Sequence, residues 1–114
     1  MTRVYVPATL DLLSVWVAAG RIPASVERLV AQSEDEGDEY DALMAAAEES
    51  AALLSGPGRR VVVVAEPADP DAELPLGLVV AVHADDTDRP IGADPDADLA
   101  WYATQELEHL LDAR

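Results

Sequence analysis

The chain has no cysteine, which excludes disulfides and thiolate chemistry and fits a reducing compartment, so a cytoplasmic location is expected. It has no lysine either: its seven basic residues are all arginines, set against 23 acids for a formal charge of −16. That balance disfavours direct contact with nucleic acid or an anionic membrane and favours a basic partner. The same bias toward Ala, Val, Asp, Glu and Arg is also what GC-rich codon usage produces. No apolar run reaches the roughly 18 residues of a membrane span. The opening MTRVYVPATL lacks the basic-then-apolar layout of a secretory signal. No internal repeat is visible. No glycine-rich phosphate loop, G-x-S-x-G, H-E-x-x-H or C-x-x-C occurs, and neither a cofactor nor a metal is expected.

What remains is a chain of 114 residues, half of them hydrophobic, expected to fold as one domain over residues 1–114. A domain of that size buries roughly two-thirds of the surface its unfolded form exposes, enough for a core without staples. Arg3 to Val6 reads as a strand that Pro7 ends. Thr9 is placed to cap a helix whose Leu10, Leu13, Trp16 and Val17 share one arc, and Gly20 closes it. Residues 21–37 are ambiguous; Val26, Leu29 and Val30 fit a helical turn or a short helix. The strongest helix signal runs from Asp38 to Ser55, with Tyr40, Leu43, Met44, Ala47, Ala51 and Leu54 on one side and acids at its start, where the helix dipole favours them. Gly56-Pro57-Gly58 stops it. Val61 to Val64 and Leu76 to His83 read as strands apolar on both faces. Acidic, proline-containing loops follow each. Asp98 to Tyr102 reads as a last strand, with Trp101 facing the core. Thr104 is placed to cap a final helix, Gln105 to Ala113, whose Leu107, Leu110 and Leu111 face inward and whose His109 faces solvent.

These elements define an α+β domain: a single small mixed or antiparallel sheet of about four strands, with about three helices packed mainly on one face. A right-handed crossover from the first strand to the Val61 strand is expected. Strands apolar on both faces need cover on the second face, from a helix or from a second copy of the chain, and the latter makes a homodimer a natural expectation.

Several groups bear on chemistry. Asp94, Asp96 and Asp98 have calcium-loop spacing, but Leu99 and Gln105 stand where such a loop needs glycine and glutamate, so an acidic loop is expected. His83 with Asp85 and Asp86 has the makings of a metal site or a general base; a strand-end histidine hydrogen-bonded to one of these acids is the simpler reading. Arg59 and Arg60 suit a phosphate, yet among so many acids they are expected to pair with carboxylates. Glu34 to Asp41 holds six acids in eight residues. Such density resembles the charge spacing of a duplex, though a charged helix start and a solvated loop account for it. If the terminal strands are neighbours, Tyr5 and Tyr102 emerge on one face beside Gln105 and Glu106, forming a small polar pocket; local packing and hydrogen bonding of the tyrosines is the plainer reading.

The opening RVYVPATL (Arg3–Leu10), the DEYDAL segment from Asp38, the strand RVVVV from Arg60 and the late WYATQEL from Trp101 together resemble an uncharacterised domain-of-unknown-function family of high-GC Gram-positive bacteria. The resemblance touches both ends and the middle of the chain. It implies a fold and a lineage, carries over no catalytic residue, and marks Tyr5, Tyr102, Gln105 and Glu106 as motif positions. The function expected is that of a non-enzymatic protein–protein interaction module. Two alternatives stand beside it: a small ligand-binding protein or enzyme using the Tyr5/Tyr102/Glu106 patch, and an acidic DNA mimic that inhibits a basic partner.

Overall fold

A computed structural model describes residues 2–112. The valine-rich segments pair as expected, but the sheet is larger than four strands. β1 (Val4–Ala8), β3 (Leu29–Val30), β4 (Val61–Ala65), β6 (Val79–Ala84) and β7 (Ala100–Tyr102) form a five-stranded sheet in the order β3-β1-β4-β6-β7. Every pairing in it is antiparallel. β2 (Arg21–Ile22) and β5 (Leu74–Pro75) make a separate two-stranded ribbon. The helices are α1 (Leu10–Ala19), α2 (Glu36–Leu53) and α3 (Leu107–Leu111), the last entered through a 3-10 turn over Thr104–Glu106.

Local chemistry explains the ends of α1. The Leu12 amide donates to the Thr9 hydroxyl (3.1 Å), and Gly20 takes a left-handed conformation, φ 79°, with its N–H on the Trp16 and Val17 carbonyls. Only glycine adopts that conformation freely. At α3 the cap differs from the expected Thr104: the Ala103 amide donates to the Glu106 carboxylate (3.1 Å). The expected end of this helix at Ala113 lies outside the described residues.

Residues 21–35 hold no helix, and α2 starts two residues before the expected Asp38; the segment reverses the chain through β2 and β3. Arg28 fixes this reversal by donating to the carbonyls of Val26, Pro23, Pro70 and Ala72, the last at 2.7 Å. The reversal also corrects the crossover. β1 and β4 are neighbours but antiparallel; the parallel strands are β3 and β4, joined by α2, with β1 lying between them. β1 runs on through Pro7 rather than stopping there. β3 reaches only Val4 and Tyr5, so beyond it no ladder donor is required of the proline nitrogen.

The helices divide between the two faces instead of gathering on one. Leu13 and Trp16 of α1 and Leu110 of α3 pack with Val4, Val6, Val61, Val63 and Val82, joined by Ile22 and Leu74 of the ribbon. α2 covers Tyr5, Val62 and Val64 on the other face. It does so mainly through Ala42, Ala46, Ala47 and Ser50, with Leu43 of the expected stripe half-buried beside them, while Tyr40 and Ala51 are exposed. Small residues let the helix axis approach two fully apolar strands, so the alanine side turns inward. The cover that the valine strands demand is thus supplied over β1 and β4 by α2 of the same chain.

Two buried polar contacts lock this arrangement. The Ser50 hydroxyl of α2 donates to the Ala8 carbonyl (2.6 Å) and accepts from the Val61 amide (2.8 Å). Ala8 and Val61 are register partners, so the hydroxyl is inserted into the end of the β1–β4 ladder and joins helix to sheet. The second contact is Arg60, 3% exposed, with Asp85, 6% exposed. Arg60 donates to the Asp85 carboxylate from Nη2 (2.7 Å), from Nε (3.0 Å) and from its backbone N–H (2.8 Å), and the Asp85 N–H returns a bond to the Arg60 carbonyl (3.1 Å). The same guanidinium reaches the Pro95 carbonyl (3.2 Å) and the Ala97 carbonyl (2.8 Å). The loop from β6 to β7 is therefore hung on one buried arginine. Arg59 lies 3.6 Å from Asp88. Both arginines pair with carboxylates, as expected among so many acids.

Two stability predictions follow from these contacts. Ser50→Ala strands a buried carbonyl and a buried amide and is expected to lower unfolding free energy by about 1–3 kcal/mol, measured by urea denaturation. Asp85→Asn leaves the Arg60 charge buried without its counter-ion and is expected to cost about 3–5 kcal/mol. Burial alone would raise the Asp85 carboxyl; hydrogen bonds from the Arg60 side chain and backbone, with the charges of Arg60 and Arg89, outweigh it and hold the group below the ordinary carboxylate value. Its contribution is therefore complete above about pH 4 and is lost as pH falls through the depressed value. Unfolding midpoints of wild type and Asp85→Asn are expected to converge on acidification over that range.

Candidate functional site

α2 covers β1 and β4 but does not extend over β6 and β7. Beside it the sheet lies open as a cleft of about 360 Å³. Its floor is Tyr5, Val64 and Ala81; its walls are Tyr40 and Leu43 of α2 on one side and Val80, His83 and Trp101 on the other. Register places the residues of this face side by side: Tyr5 opposite Val64, Val64 opposite Ala81, Val62 opposite His83, and His83 opposite Trp101.

A β-bulge shapes the rim. Val64 pairs with Ala81 but Ala65 pairs with Val79, leaving Val80 as the extra residue. The bulge resets the in–out alternation. Val79 and Val82 stay in the core with α1, while Val80, 40% exposed, joins the cleft. β6 also starts later than Leu76, because Leu76–Leu78 form a 3-10 turn.

Trp101 departs from its expected place in the core. It is 60% exposed on a three-residue strand at the edge of the sheet. Opposite it, Tyr40 is 48% exposed and donates its phenol hydrogen to Asp98 (2.9 Å), tying α2 to the segment that leads into β7. That bond comes first in raising the Tyr40 phenol pKa, with burial and the charges of Asp98, Asp96 and Asp41 adding to it. At the other end Arg3 bridges Glu39 of α2 (3.3 Å) and Glu66 (3.0 Å) after β4. Burial raises the Tyr5 phenol beneath it, and the Glu39 charge adds to this.

His83 does not bond the acids that follow it. Asp85 is held by Arg60, Asp86 is exposed, and among the described residues the imidazole makes no side-chain hydrogen bond. Among the described residues no three His, Asp or Glu side chains converge as a metal would require. Burial lowers the His83 pKa and favours the neutral ring.

The residues singled out in the sequence are not brought together. Tyr5 and Tyr102 are separated by β4 and β6 and lie on opposite faces: Tyr5 under α2, Tyr102 against the α1 and α3 core. Gln105 and Glu106 are exposed beyond β7, and Glu106 is engaged with its own turn. His109 is exposed, as the helical arc predicts. The Asp94–Asp98 segment is a turn in which the Asp96 amide donates to Asp94 Oδ1 (2.9 Å). The Glu34–Asp41 run opens α2: Asp38 accepts from Ser33 (2.6 Å) and Glu39 holds Arg3, while Glu34, Asp35, Glu36 and Asp41 are exposed. Reading the residues missed Tyr40, Val80, His83 and Trp101 as one surface. Alternation along the last strand gave two phases, and the one that puts Trp101 inside is the reverse of the one found, with Tyr102 against the core.

A five-stranded antiparallel α+β domain with an open aromatic cleft at one sheet edge is the class that fold and site define. The chain belongs to a family of unknown function (DUF6912), whose model matches residues 2–111 and so takes in every element from β1 to α3. The resemblance read from the opening, middle and late motifs to an uncharacterised domain family is thereby borne out. No curated protein and no solved structure matches the chain. Among the described residues no helix is long and apolar enough to cross a membrane.

One prediction concerns the imidazole in the cleft. By proton NMR, His83 is expected to titrate with a midpoint below 6.5. Because its folded value is depressed, protonating it opposes folding, so this group's contribution to stability is lost as pH falls below the unfolded value of about 6.5. A midpoint at or above 6.5 would contradict the burial described here.

Proposed function

We propose that the protein is a non-enzymatic binding module that acts through protein–protein contact, and that its working surface is the cleft beside α2, where an extended, basic segment of a partner lies along β7. The observation that carries this reading is Trp101: a tryptophan 60% exposed on a free sheet edge. Monomeric proteins guard such edges, and an unguarded one is a ready template for a further strand. Tryptophan and tyrosine supply much of the contact energy at protein interfaces, and here Trp101 and Tyr40 face each other across an apolar floor.

Charge selects the partner. The chain carries −16 overall, and Glu39, Asp41, Asp96 and Asp98 surround the cleft wall formed by Tyr40. A basic segment gains from that field in rate and in register. A second copy of the same acidic chain meets repulsion, which makes it the less favoured occupant. Of the ionisable side chains in the cleft, Arg3, Glu39 and Tyr40 are engaged with protein partners, and among the described residues His83 has no hydrogen-bonded carboxylate to orient it as a base.

The test uses the whole chain and a synthetic peptide alternating arginine with valine. Amide shift changes are expected to concentrate at Ala100–Tyr102 and on the β6 residues beside them, with affinity falling as salt rises. Trp101→Ala is expected to weaken binding about tenfold or more, since about 1.4 kcal/mol is a factor of ten. Because the side chain is exposed, the substitution is expected to leave folding stability within about 0.5 kcal/mol. Unchanged affinity in Trp101→Ala, or a light-scattering mass of two chains that Trp101→Ala returns to one, would overturn the basic-segment reading.

A further inference from the structure

A second opening lies at the other edge of the sheet. β3 pairs only with Val4 and Tyr5, so among the described residues β1 beyond Tyr5 has no strand on that side. α1 packs on one face and α2 on the other. Between them, where the missing strand would lie, is a pocket of about 360 Å³. That size falls within the range of small-molecule sites, roughly 300–1,000 Å³. Its walls are apolar: Pro7 from β1, Leu12 and Trp16 from α1, Val26, and Leu53 at the end of α2. Leu12 and Leu53 are both partly bare to solvent, large aliphatic side chains left uncovered where the pocket opens.

Two carboxylates, Glu27 and Glu49, share this lining. Both also line the adjoining groove beside Leu29 and Ala45. Among the described residues neither forms an ion pair with an arginine. Burial, then the contact with Glu27 and the charges of Glu27 and Glu48, raises the Glu49 pKa. Two like charges beside an apolar surface, without a counter-ion from the chain, are relieved by a cation that also brings apolar surface of its own.

We propose that this pocket binds a small hydrophobic amine, its hydrocarbon body against Leu12, Trp16, Val26 and Leu53 and its ammonium group between Glu27 and Glu49. The site is separate from the Trp101 cleft and does not rest on the function proposed for it. Only the joint presence of a concave apolar wall and an uncompensated carboxylate pair selects this class. An apolar alcohol of the same length satisfies the wall and not the acids, and a carboxylic acid is repelled.

The test titrates the whole chain with n-hexylammonium chloride, n-hexanol and sodium hexanoate at constant ionic strength, read by amide and indole NMR shifts. The ammonium is expected to move Leu12, Trp16, Glu27, Glu49 and Leu53 together, and to bind about tenfold more tightly than the alcohol. Hexanoate is expected not to bind. Glu49→Gln, and separately Glu27→Gln, should weaken the ammonium about five- to tenfold and leave hexanol unchanged, a pattern that loss of folding would not produce. Leu53→Ala should weaken ammonium and alcohol alike. Equal affinity for ammonium and alcohol, an ammonium affinity indifferent to both glutamine substitutions, or shifts confined to other acidic surfaces would overturn the proposal.

Discussion

The buried pair of Arg60 and Asp85 sets the terms for half of this molecule. A guanidinium almost wholly removed from water must find acceptors for its donors, and it takes them from the Asp85 carboxylate and the carbonyls of Pro95 and Ala97. Those acceptors lie along the irregular segment between β6 and β7. Burying the charge therefore dictates the path of a loop that has little regular structure of its own. That path delivers β7 to the sheet edge and sets Asp98 where Tyr40 can reach it. The aromatic cleft is a downstream product of one ion pair that lies outside it.

Ser50 plays the corresponding role for the helix that forms the opposite wall. Its hydroxyl occupies a position in the strand ladder that a direct backbone bond would otherwise fill. This fixes both the height and the rotation of α2 over β1 and β4. With the alanine side turned down, Tyr40 and Leu43 are carried to the flank that faces β6 and β7. A helix resting on its larger residues would stand further from the sheet and leave no defined wall. Close packing and a side chain inserted into the ladder thus place one half of the cleft, and the arginine-hung loop places the other.

Both openings in the surface arise where a covering element ends early. α2 is wide enough for β1 and β4 only, which bares the upper face of β6 and β7. β3 is two residues long, which bares the edge of β1 at Pro7. Apolar strand residues lie beneath each opening, and carboxylates stand beside each because the chain has so many. Geometry and composition enter separately, and their coincidence gives each surface its chemical character.

Much of this architecture is legible in the residues. The valine run, the arc of Leu10, Leu13, Trp16 and Val17, the Thr9 and Gly20 caps and the inward leucines of α3 all stand where period and capping put them, because these signals act within a few residues of one another. Pairing of the arginines with acids also follows from numbers alone, as does the acidic character of the surface. Strand order does not. It depends on Arg28 reversing the chain through two-residue strands that carry no periodicity, and on β4 and β6 coming to lie between Tyr5 on β1 and Tyr102 on β7. The rotation of α2 depends on what lies beneath it, and hydrophobicity ranks Tyr40 and Leu54 above Ala42 and Ser50 without knowing that the strands below leave no room. The bulge at Val80 interrupts the β4–β6 ladder, which only the partner strand can show, and the exposure of Trp101 depends on α2 stopping short of β7. Sequence determined the elements, because they arise from contacts near in the chain; tertiary structure decided the faces, the order and the site, because these arise from which distant atoms compete for the same volume and the same hydrogen bonds.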